Sequence, residues 1–269
     1  HPDAMQVMRL WRYNPGEEHL RPLAEVPGLV GEMVLFGDRL IFPMFEPGLG
    51  IELWTYDPAV GEIQLVKDLW AGNDSSNPEH LFPWKDGVYF RADSMSDGIE
   101  LWRTDGTERG TLRVIDINPH ALSSGAYGFV PAGDYLFFRA YHNDYGDELW
   151  ATKGEIGKMP VVFDVFPGSQ SSHPYSMAAI GSYLFFTADD GSHGEELWAI
   201  RLDAIENGPF LVEDIREGPE SSEPHDLTVL GENAALFVHN SPTGDVLMKL
   251  DVIDREITLT PYTGLHLRK

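Results

Sequence analysis

The chain has 269 residues and a formal net charge of −24 at pH 7, from 43 Asp and Glu against 19 Lys and Arg. This charge opposes binding to nucleic acid or to an anionic membrane, because phosphate groups are bound by clustered Lys and Arg. The absence of cysteine excludes disulfides and thiolate metal sites. No run of 18 or more apolar residues occurs, so we expect no membrane insertion.

Two strand-like runs, 5–13 and 19–26, open the chain and predict a leading hairpin within residues 1–28. A Glu-Leu-Trp triplet then begins at positions 52, 100, 148 and 196, an interval of 48 residues each time. Degenerate copies lie at Arg9-Leu10-Trp11 and Val246-Leu247-Met248. A fixed period of this length is the signature of a repeat architecture. We place the repeats at about 29–76, 77–124, 125–172, 173–222 and 223–262, within a single domain over 1–269.

Each repeat reads as four short strands, which we label a to d. In the third repeat they are 127–132, 135–141, 148–152 and 160–165, with turn residues between them. In the first repeat strand a starts near Leu29. No segment shows a helical period, so helix content should be small. Four antiparallel strands repeated at this interval predict an all-β fold, a β-propeller of four-stranded antiparallel blades.

The blade count depends on the leading hairpin, which supplies strands c and d but no strands a and b. Five blades with a spare hairpin are favoured over six with one incomplete blade. The uncovered edge of such a hairpin invites pairing with another chain, so dimerisation through this edge is possible.

Aromatic residues recur at fixed positions of strands b and c. The Phe series is Phe42, Phe90, Phe138, Phe186 and Phe237, and the Trp series is Trp11, Trp54, Trp102, Trp150 and Trp198. Large aromatics each bury about 150–250 Å² between packed sheets. We therefore assign both series to the core.

An Asp ends strand d in four repeats, and a Ser-Ser pair follows it. The Asp residues are Asp68, Asp116, Asp164 and Asp214, and the pairs begin at Ser75, Ser123, Ser171 and Ser221. Such side chains fix turns by hydrogen bonding to nearby backbone, which is the role we expect. Oxygen-rich loops also hold Ca²⁺, although none here follows an EF-hand pattern. We expect no cofactor, with calcium as the open alternative.

The stretch Glu100-Leu101-Trp102-Arg103-Thr104-Asp105-Gly106-Thr107 resembles the motif of bacterial ELWxxDGT-repeat proteins. The resemblance covers nearly the whole chain, although only the second repeat keeps the full Asp-Gly-Thr-x-x-Gly-Thr. It implies propeller-like repeats and an extracellular or cell-surface location in a bacterium. This family has no common activity, so the resemblance leaves function open.

In an antiparallel blade the b–c and d–a connections leave from one face, and here they are the long ones. Loops on a rigid scaffold carry recognition. Seven of the ten His residues map to this face: His80, His120, His142, His173, His193, His225 and His239. With neighbouring carboxylates they would suit a divalent metal. Scattered surface His is the simpler interpretation, since no His-x-His spacing occurs.

Strand a is the innermost strand of a blade, so its first residues should ring one mouth of the central channel. These residues are Glu79, Tyr127, Tyr175 and His225, with His80 beside the first. They predict a pocket for a sugar or peptide, unless they only plug the channel.

Four further residues are ligand-binding candidates with structural alternatives. Trp70 and Phe166 follow strand d as exposed anchors or as local packing. Arg91 and Arg139, near the end of strand b, are predicted to pair with Glu100 and Glu148 across the hairpin, with a ligand clamp as the alternative.

Three functions are compatible with these residues. The favoured hypothesis is a non-catalytic propeller that binds a peptide, protein or glycan on the face with the long b–c and d–a connections. The second is a glycoside hydrolase using channel-mouth carboxylates, with Asp189, Asp190 and Glu79 as candidates. The third is a structural module of a bacterial surface protein. No nucleophile elbow, phosphate loop or zinc-helix motif occurs, which favours binding over catalysis.

Overall fold

The computed structural model describes residues 7–13, 16 and 19–262. These residues form 22 β-strands and one short 3-10 helix, Ile205–Asn207. The predicted low helix content is therefore confirmed. Within the same residues, no helix is long and apolar enough to cross a membrane.

The chain divides into two compact units, and unit 1 comprises residues 1–127 and 155–159. It holds a two-stranded hairpin sheet and two four-stranded sheets. The hairpin sheet contains β1 (Val7–Arg12) and β2 (Arg21–Pro27). Sheet I contains β3 (Val34–Phe36), β4 (Arg39–Glu46), β5 (Gly50–Asp57) and β6 (Glu62–Lys67). Sheet II contains β7 (Glu79–Trp84), β8 (Gly87–Ser94), β9 (Gly98–Thr104) and β10 (Leu112–Arg113).

Unit 2 comprises residues 128–154 and 160–269 and holds three four-stranded sheets. Sheet III contains β11 (Tyr127–Ala132), whose first residue groups with unit 1, β12 (Tyr135–His142), β13 (Gly146–Thr152) and β14 (Val161–Phe163). Sheet IV contains β15 (Tyr175–Ile180), β16 (Tyr183–Asp189), β17 (Glu195–Arg201) and β18 (Phe210–Glu213). Sheet V contains β19 (His225–Val229), β20 (Ala234–Ser241), β21 (Gly244–Ile253) and β22 (Glu256–Pro261).

In each four-stranded sheet, strands that follow one another in sequence are also hydrogen-bonded neighbours, as strands a to d require. The strands of the third repeat agree with their predicted bounds to within two residues. The hairpin is also present as predicted, although positions 5 and 6 lie outside the described residues. The blade number and the single domain over 1–269 stay predictions.

The first repeat departs from its predicted strand a. Leu29 forms only an isolated bridge with Met44, and the strand itself starts at Val34. Two residues interrupt the ladder between them. Gly31 has a positive φ of 81°, and Pro43 on the opposite strand lacks a backbone N–H to donate.

The core lies between successive sheets within each unit. All five members of the Phe series are fully buried. In unit 1, Phe90 and Trp102 of sheet II pack with Ile41 and Leu53 of sheet I. In unit 2, sheets III and IV share one apolar cluster, and sheets IV and V share another. The assignment of the Phe series to the core is confirmed.

The Trp series follows the same rule with two exceptions. The indole N–H groups of Trp102, Trp150 and Trp198 donate to strand-b carbonyls at 3.1, 2.9 and 3.1 Å, and all three rings are buried. Trp54 is only partly buried, and Trp11 is 51% exposed. Assigning Trp11 to the core was wrong, because no strand b covers it among the described residues.

Candidate ligand-binding site

A buried carboxylate ties the connections together in four of the five repeats. In sheet III, Glu148 Oε1 accepts the Ser172 N–H at 2.8 Å, while Oε2 accepts the Ser172 hydroxyl at 2.5 Å and the Val165 N–H at 3.1 Å. Neighbouring Ser171 accepts the Asp147 N–H at 3.0 Å. The serines therefore bond to residues 24 positions away and join two connections of the repeat, whereas we expected them to bond to the backbone of their own turn. The partner of Ser172, the Glu of the repeated triplet, was not identified from the sequence.

The same arrangement recurs in three other sheets. The acceptors are Glu52, Glu100 and Glu196, and the matching serines are Ser76, Ser124 and Ser222. All four glutamates are 0% exposed, so this repeated residue is structural and out of reach of a ligand. We call each set the Glu–Ser clamp.

The clamp also requires a glycine two residues before the Glu. Gly146 has φ of 73°, and an added Cβ would lie 1.8 Å from the Gln170 carbonyl oxygen. The b–c turn thus touches the d–a connection. Gly50, Gly98 and Gly194 make the equivalent close approach. The prediction that these two connections emerge at the same end of a sheet is confirmed.

Burial shifts the ionisation of the clamp carboxyls. Desolvation raises the pKa of Glu148 to about 7, and the nearby Asp164 charge adds to it, while hydrogen bonds from Ser172 and Val165 oppose the rise. The pKa of Glu100 is raised to about 7 by the same kinds of cause. Burial likewise raises the pKa values of Glu52 and Glu196.

These raised pKa values predict that the fold loses stability as pH rises. A carboxyl with a folded-state pKa near 7 and an ordinary value of 4.5 stabilises the fold fully below pH 4.5 and loses that contribution as pH passes 7. Between pH 5 and pH 8 we expect Glu148 to account for about 2–3 kcal/mol of the fall in unfolding free energy. Denaturant titrations at both pH values, on wild type and Glu148→Gln, measure it. Glu213→Gln, at an exposed position, is the control; equal pH slopes in wild type and Glu148→Gln would contradict the prediction.

The first residues of strand a lie at equivalent positions, as predicted. Glu79, Tyr127, Tyr175 and His225 begin β7, β11, β15 and β19. The next residue has a positive φ in each case: His80 (55°), Gly128 (71°), Ser176 (51°) and Asp226 (55°). Left-handed backbone at non-glycine residues is strained, and such residues concentrate at functional sites.

In unit 1 these residues form a small polar cluster. Arg91 Nε donates to Glu79 Oε2 at 3.0 Å, and the rings of His80 and Tyr127 are 5.8 Å apart at 32°. Glu79 and His80 also line a cavity of 360 Å³ together with Glu32.

In unit 2 the corresponding residues form two groups, Arg139 with Asp147 and His173, and Tyr175 with Glu195, which together we call the unit 2 cluster. Arg139 forms an ion pair with Asp147 and approaches His173 Nδ1 to 3.0 Å through Nη2. The Tyr175 hydroxyl donates to Glu195 Oε2 at 2.9 Å. Burial, reinforced by this carboxylate, raises the pKa of Tyr175. His173 is 58% exposed at its side chain, so solvent reaches the cluster.

His225 lies in the same unit, at the start of sheet V. Its Nδ1 is 2.8 Å from the Glu223 carbonyl oxygen. The Leu227 N–H donates to Ser176 Oγ at 3.3 Å, which joins the a strands of sheets IV and V. A ring containing all four strand-a residues would draw on both units and stays a prediction.

The predicted ion pairs of the two arginines were wrong. Arg91 pairs with Glu79 and Arg139 with Asp147, whereas Glu100 lies opposite Ala92 and Glu148 opposite Ala140. Side chains alternate between the two faces of a strand. Each arginine is one residue from that alanine and therefore on the other face from the buried glutamate.

Asp147 and Glu195 were missed as members of the cluster, although the sequence carried a signal. The residue before Glu-Leu-Trp is Ile51 and Ile99 in sheets I and II, but Asp147 and Glu195 in sheets III and IV. A change from apolar to acidic at a repeated position marks a departure from structural symmetry. Here it coincides with the hydrogen-bond partners of Arg139 and Tyr175.

The other candidates have local structural roles or partial exposure. The Phe166 ring packs against Gly191 in the b–c turn of sheet IV, because a Cβ added to Gly191 would lie 2.3 Å from a ring atom. Phe166 thus has the local packing role that we gave as one alternative. Trp70 is partly buried.

Asp189 accepts the Gly191 N–H at 2.7 Å. Asp190 accepts the His193 N–H and contacts the His193 ring, both at 2.9 Å. Both carboxylates therefore shape the b–c turn.

The Asp190–His193 contact shifts both groups. Burial acts to raise the pKa of Asp190, but hydrogen bonds from His193 and Ser192 outweigh it and lower the value. The hydrogen bond to Asp190 raises the pKa of His193. Across the described part of the chain, no three His, Asp or Glu side chains come together as metal ligands.

Unit 2 also has a cavity at the opposite end, beside the tight a–b turns. It measures 510 Å³, and its lining includes Gly133, Gly181 and Gly231. Its polar side chains are those of Glu232 and Asn233. The hydrogen-bonded groups of Arg139 and Tyr175 lie at the other end, where strand a starts.

Solved structures share this architecture at low identity. An oligogalacturonate lyase in complex with manganese matches with a TM-score of 0.50 and 16% identity, over 84% of this chain and 63% of the lyase chain. Together with the four-stranded antiparallel sheets, this likeness defines an all-β protein of the β-propeller class.

Two further solved structures match with lower TM-scores. A puromycin-hydrolyzing peptidase from Mycobacterium tuberculosis has a TM-score of 0.49 and 12% identity, over 85% of this chain and 38% of that chain. TolB from Acinetobacter baumannii has a TM-score of 0.43 and 11% identity, over 95% and 60%. The chain thus spans 38% to 63% of the length of these three proteins. No protein-family profile and no curated protein matches the sequence.

Proposed function

We propose that this chain is a non-catalytic β-propeller binding module that recognises a peptide, protein or glycan at the start of the a strands. One observation carries the proposal. The Glu–Ser clamp, which repeats identically in four sheets, is buried, whereas Arg139, Asp147, His173 and Tyr175 occupy positions that vary between repeats and are at least partly exposed to solvent.

The chemistry of the unit 2 cluster fits a polar ligand. Arg139 offers planar donors beside an acceptor, Asp147, and Tyr175 and His173 add aromatic faces with hydrogen-bonding edges. The strained backbone beside Tyr175 presents these groups on a rigid strand end. Such a set binds hydroxyl, amide or carboxylate groups without a bond-breaking step.

The setting that we propose follows from the ELWxxDGT resemblance and the acidic composition. It is extracellular or on a bacterial cell surface, with neither nucleic acid nor membrane as partner. Binding is proposed to need no cofactor, and calcium is tested as the alternative.

The test screens the full chain on glycan and peptide arrays and then measures affinity by calorimetry. Tyr127, Tyr175 and His225, substituted together by alanine, should weaken binding at least about tenfold, since hot-spot truncations cost more than about 1 kcal/mol each. Tyr175→Phe, which removes only the hydroxyl bonded to Glu195, should weaken it by a smaller factor. Tyr262→Phe, at an exposed tyrosine beyond β22, is the matched control.

Unchanged affinity in the triple variant, with circular dichroism showing an intact fold, would remove the a-strand starts as the site. A wild-type chain that binds nothing on either array would overturn the binding function. A chelator in a parallel titration tests calcium: affinity that falls on chelation contradicts cofactor-free binding.

A further inference from the structure

The hairpin sheet reproduces the outer half of a four-stranded sheet. Its first strand carries Arg9-Leu10-Trp11 where strands c carry Glu-Leu-Trp. The β1–β2 register shifts between Leu10 and Trp11, as β5–β6 shifts between Leu53 and Trp54 and β17–β18 between Leu197 and Trp198. β1 and β2 are therefore strands c and d by both sequence and register.

Among the described strands, none pairs with the other side of β1, where a strand c normally meets strand b. In sheets I to V strand c pairs with strand b, but within the described residues β1 pairs with β2 alone. The indole of a strand-c Trp normally donates to a strand-b carbonyl, as Trp150 does to Ala140 at 2.9 Å. Trp11 is instead half-exposed, and Val7 and Met8 of the same strand are exposed as well.

A groove beside β1 marks the place where a strand-b side chain would pack. Elsewhere one strand-b residue fills the space toward the following sheet: Ile41 toward sheet II, Phe137 toward sheet IV and Phe185 toward sheet V. The cluster between the hairpin sheet and sheet I has no such residue among those described. A cavity of 710 Å³ lies there, with Leu10, Trp11, Leu23, Met33 and Tyr56 among its lining residues.

We infer that the edge of β1 with which no described strand pairs is a strand-addition site for a β-hairpin of the a–b type. The pairing strand would resemble Leu136-Phe137-Phe138-Arg139-Ala140 of strand b in sheet III, with a bulky aromatic entering the groove and a backbone carbonyl accepting the Trp11 N–H. An unpaired edge is a ready template for main-chain pairing, and the adjoining groove supplies side-chain specificity.

A second copy pairing through its own β1 fits these features less well. It would place the exposed Val7, Met8 and Trp11 side chains against one another without an a–b hairpin to fill either groove. The net charge of −24 on each copy also opposes close approach. A hairpin partner therefore fits the β1 edge better than a second copy, and the experiment below distinguishes the two.

The experiment adds a synthetic peptide that copies residues 127–142, the a–b hairpin of sheet III, with its ends joined covalently to hold the hairpin. Amide hydrogen exchange of residues 7–12 in the full chain is followed by mass spectrometry. Pairing should slow exchange in this segment at least about tenfold, since strand hydrogen bonds protect amides. A peptide with Ala140→Pro, which cannot donate toward strand c from that position, and one with Phe137→Ala, which cannot fill the groove, should both protect less.

Trp11→Ala in the full chain should weaken peptide binding at least about fivefold, and circular dichroism should show an intact fold, because this ring is half-exposed. No protection at millimolar peptide, or equal protection by the proline peptide, would overturn the inference. Protection that instead rises with protein concentration, with a doubled mass in light scattering, would assign the edge to a second copy and also overturn it. None of these outcomes depends on the ligand site at the a-strand starts.

Discussion

Glu148→Ala should lower the free energy of unfolding by about 3–5 kcal/mol, because the substitution leaves three buried donors without an acceptor and each costs about 1–3 kcal/mol. The donors are the Ser172 N–H, the Ser172 hydroxyl and the Val165 N–H. Chemical denaturation at pH 6 gives the value. Glu213→Ala, at an exposed position of β18, is the matched control and should change stability by less than about 0.5 kcal/mol.

A double-mutant cycle with Ser172→Ala separates the clamp from general burial. The serine variant alone should cost about 1–2 kcal/mol, and clearly less once Glu148 is already alanine, since the two side chains share one interaction. Additive effects of the two substitutions would show that Glu148 stabilises the fold by some route other than this serine.

Gly146→Ala should destabilise the fold by about 3 kcal/mol, in two parts. The left-handed backbone at φ 73° costs an alanine about 1 kcal/mol. The added methyl would meet the Gln170 carbonyl, so the d–a connection must shift, at about 1–3 kcal/mol for an overpacked site.

Gly157→Ala separates the two parts. This glycine has a similar φ of 76°, and no neighbouring atom lies within 4 Å of the position that an alanine methyl would occupy, so the substitution should cost only about 1 kcal/mol. Denaturant midpoints of the two variants measured together provide the comparison. If the two variants lose the same unfolding free energy, the positive φ alone accounts for the need for glycine at position 146. The close contact between the b–c and d–a connections would then relax without cost.

Both predictions bear on which positions of the repeat stabilise the fold. In sheets I to IV the repeated glycine, glutamate and serine tie the b–c turn to the d–a connection that follows the same sheet. Side chains at the varied positions, such as Tyr175, His173 and Asp147, lie on different elements at the same end of the sheets. A change at one of these positions should therefore cost less folding stability than a change in the clamp.

The sequence by itself determined the strands and their order. The 48-residue interval, the Phe series and the tight a–b turns were enough to place sheet III to within two residues and to predict four-stranded antiparallel sheets. These features are local or periodic, and strand pairing between neighbours in sequence follows from them. Strand a of the first repeat was misplaced, because Gly31 and Pro43 interrupt a ladder that the repeat pattern suggests is continuous.

Only the tertiary structure decided which side chains meet. The sequence placed Arg139 opposite Glu148, but the alternation of strand faces pairs it with Asp147 and leaves Glu148 to accept from Ser172, 24 residues away. Repeat spacing shows that two residues recur together, not which face of a strand each occupies. That choice follows from cross-strand register and from the cost of burying a carboxylate without donors, which are properties of the folded sheets.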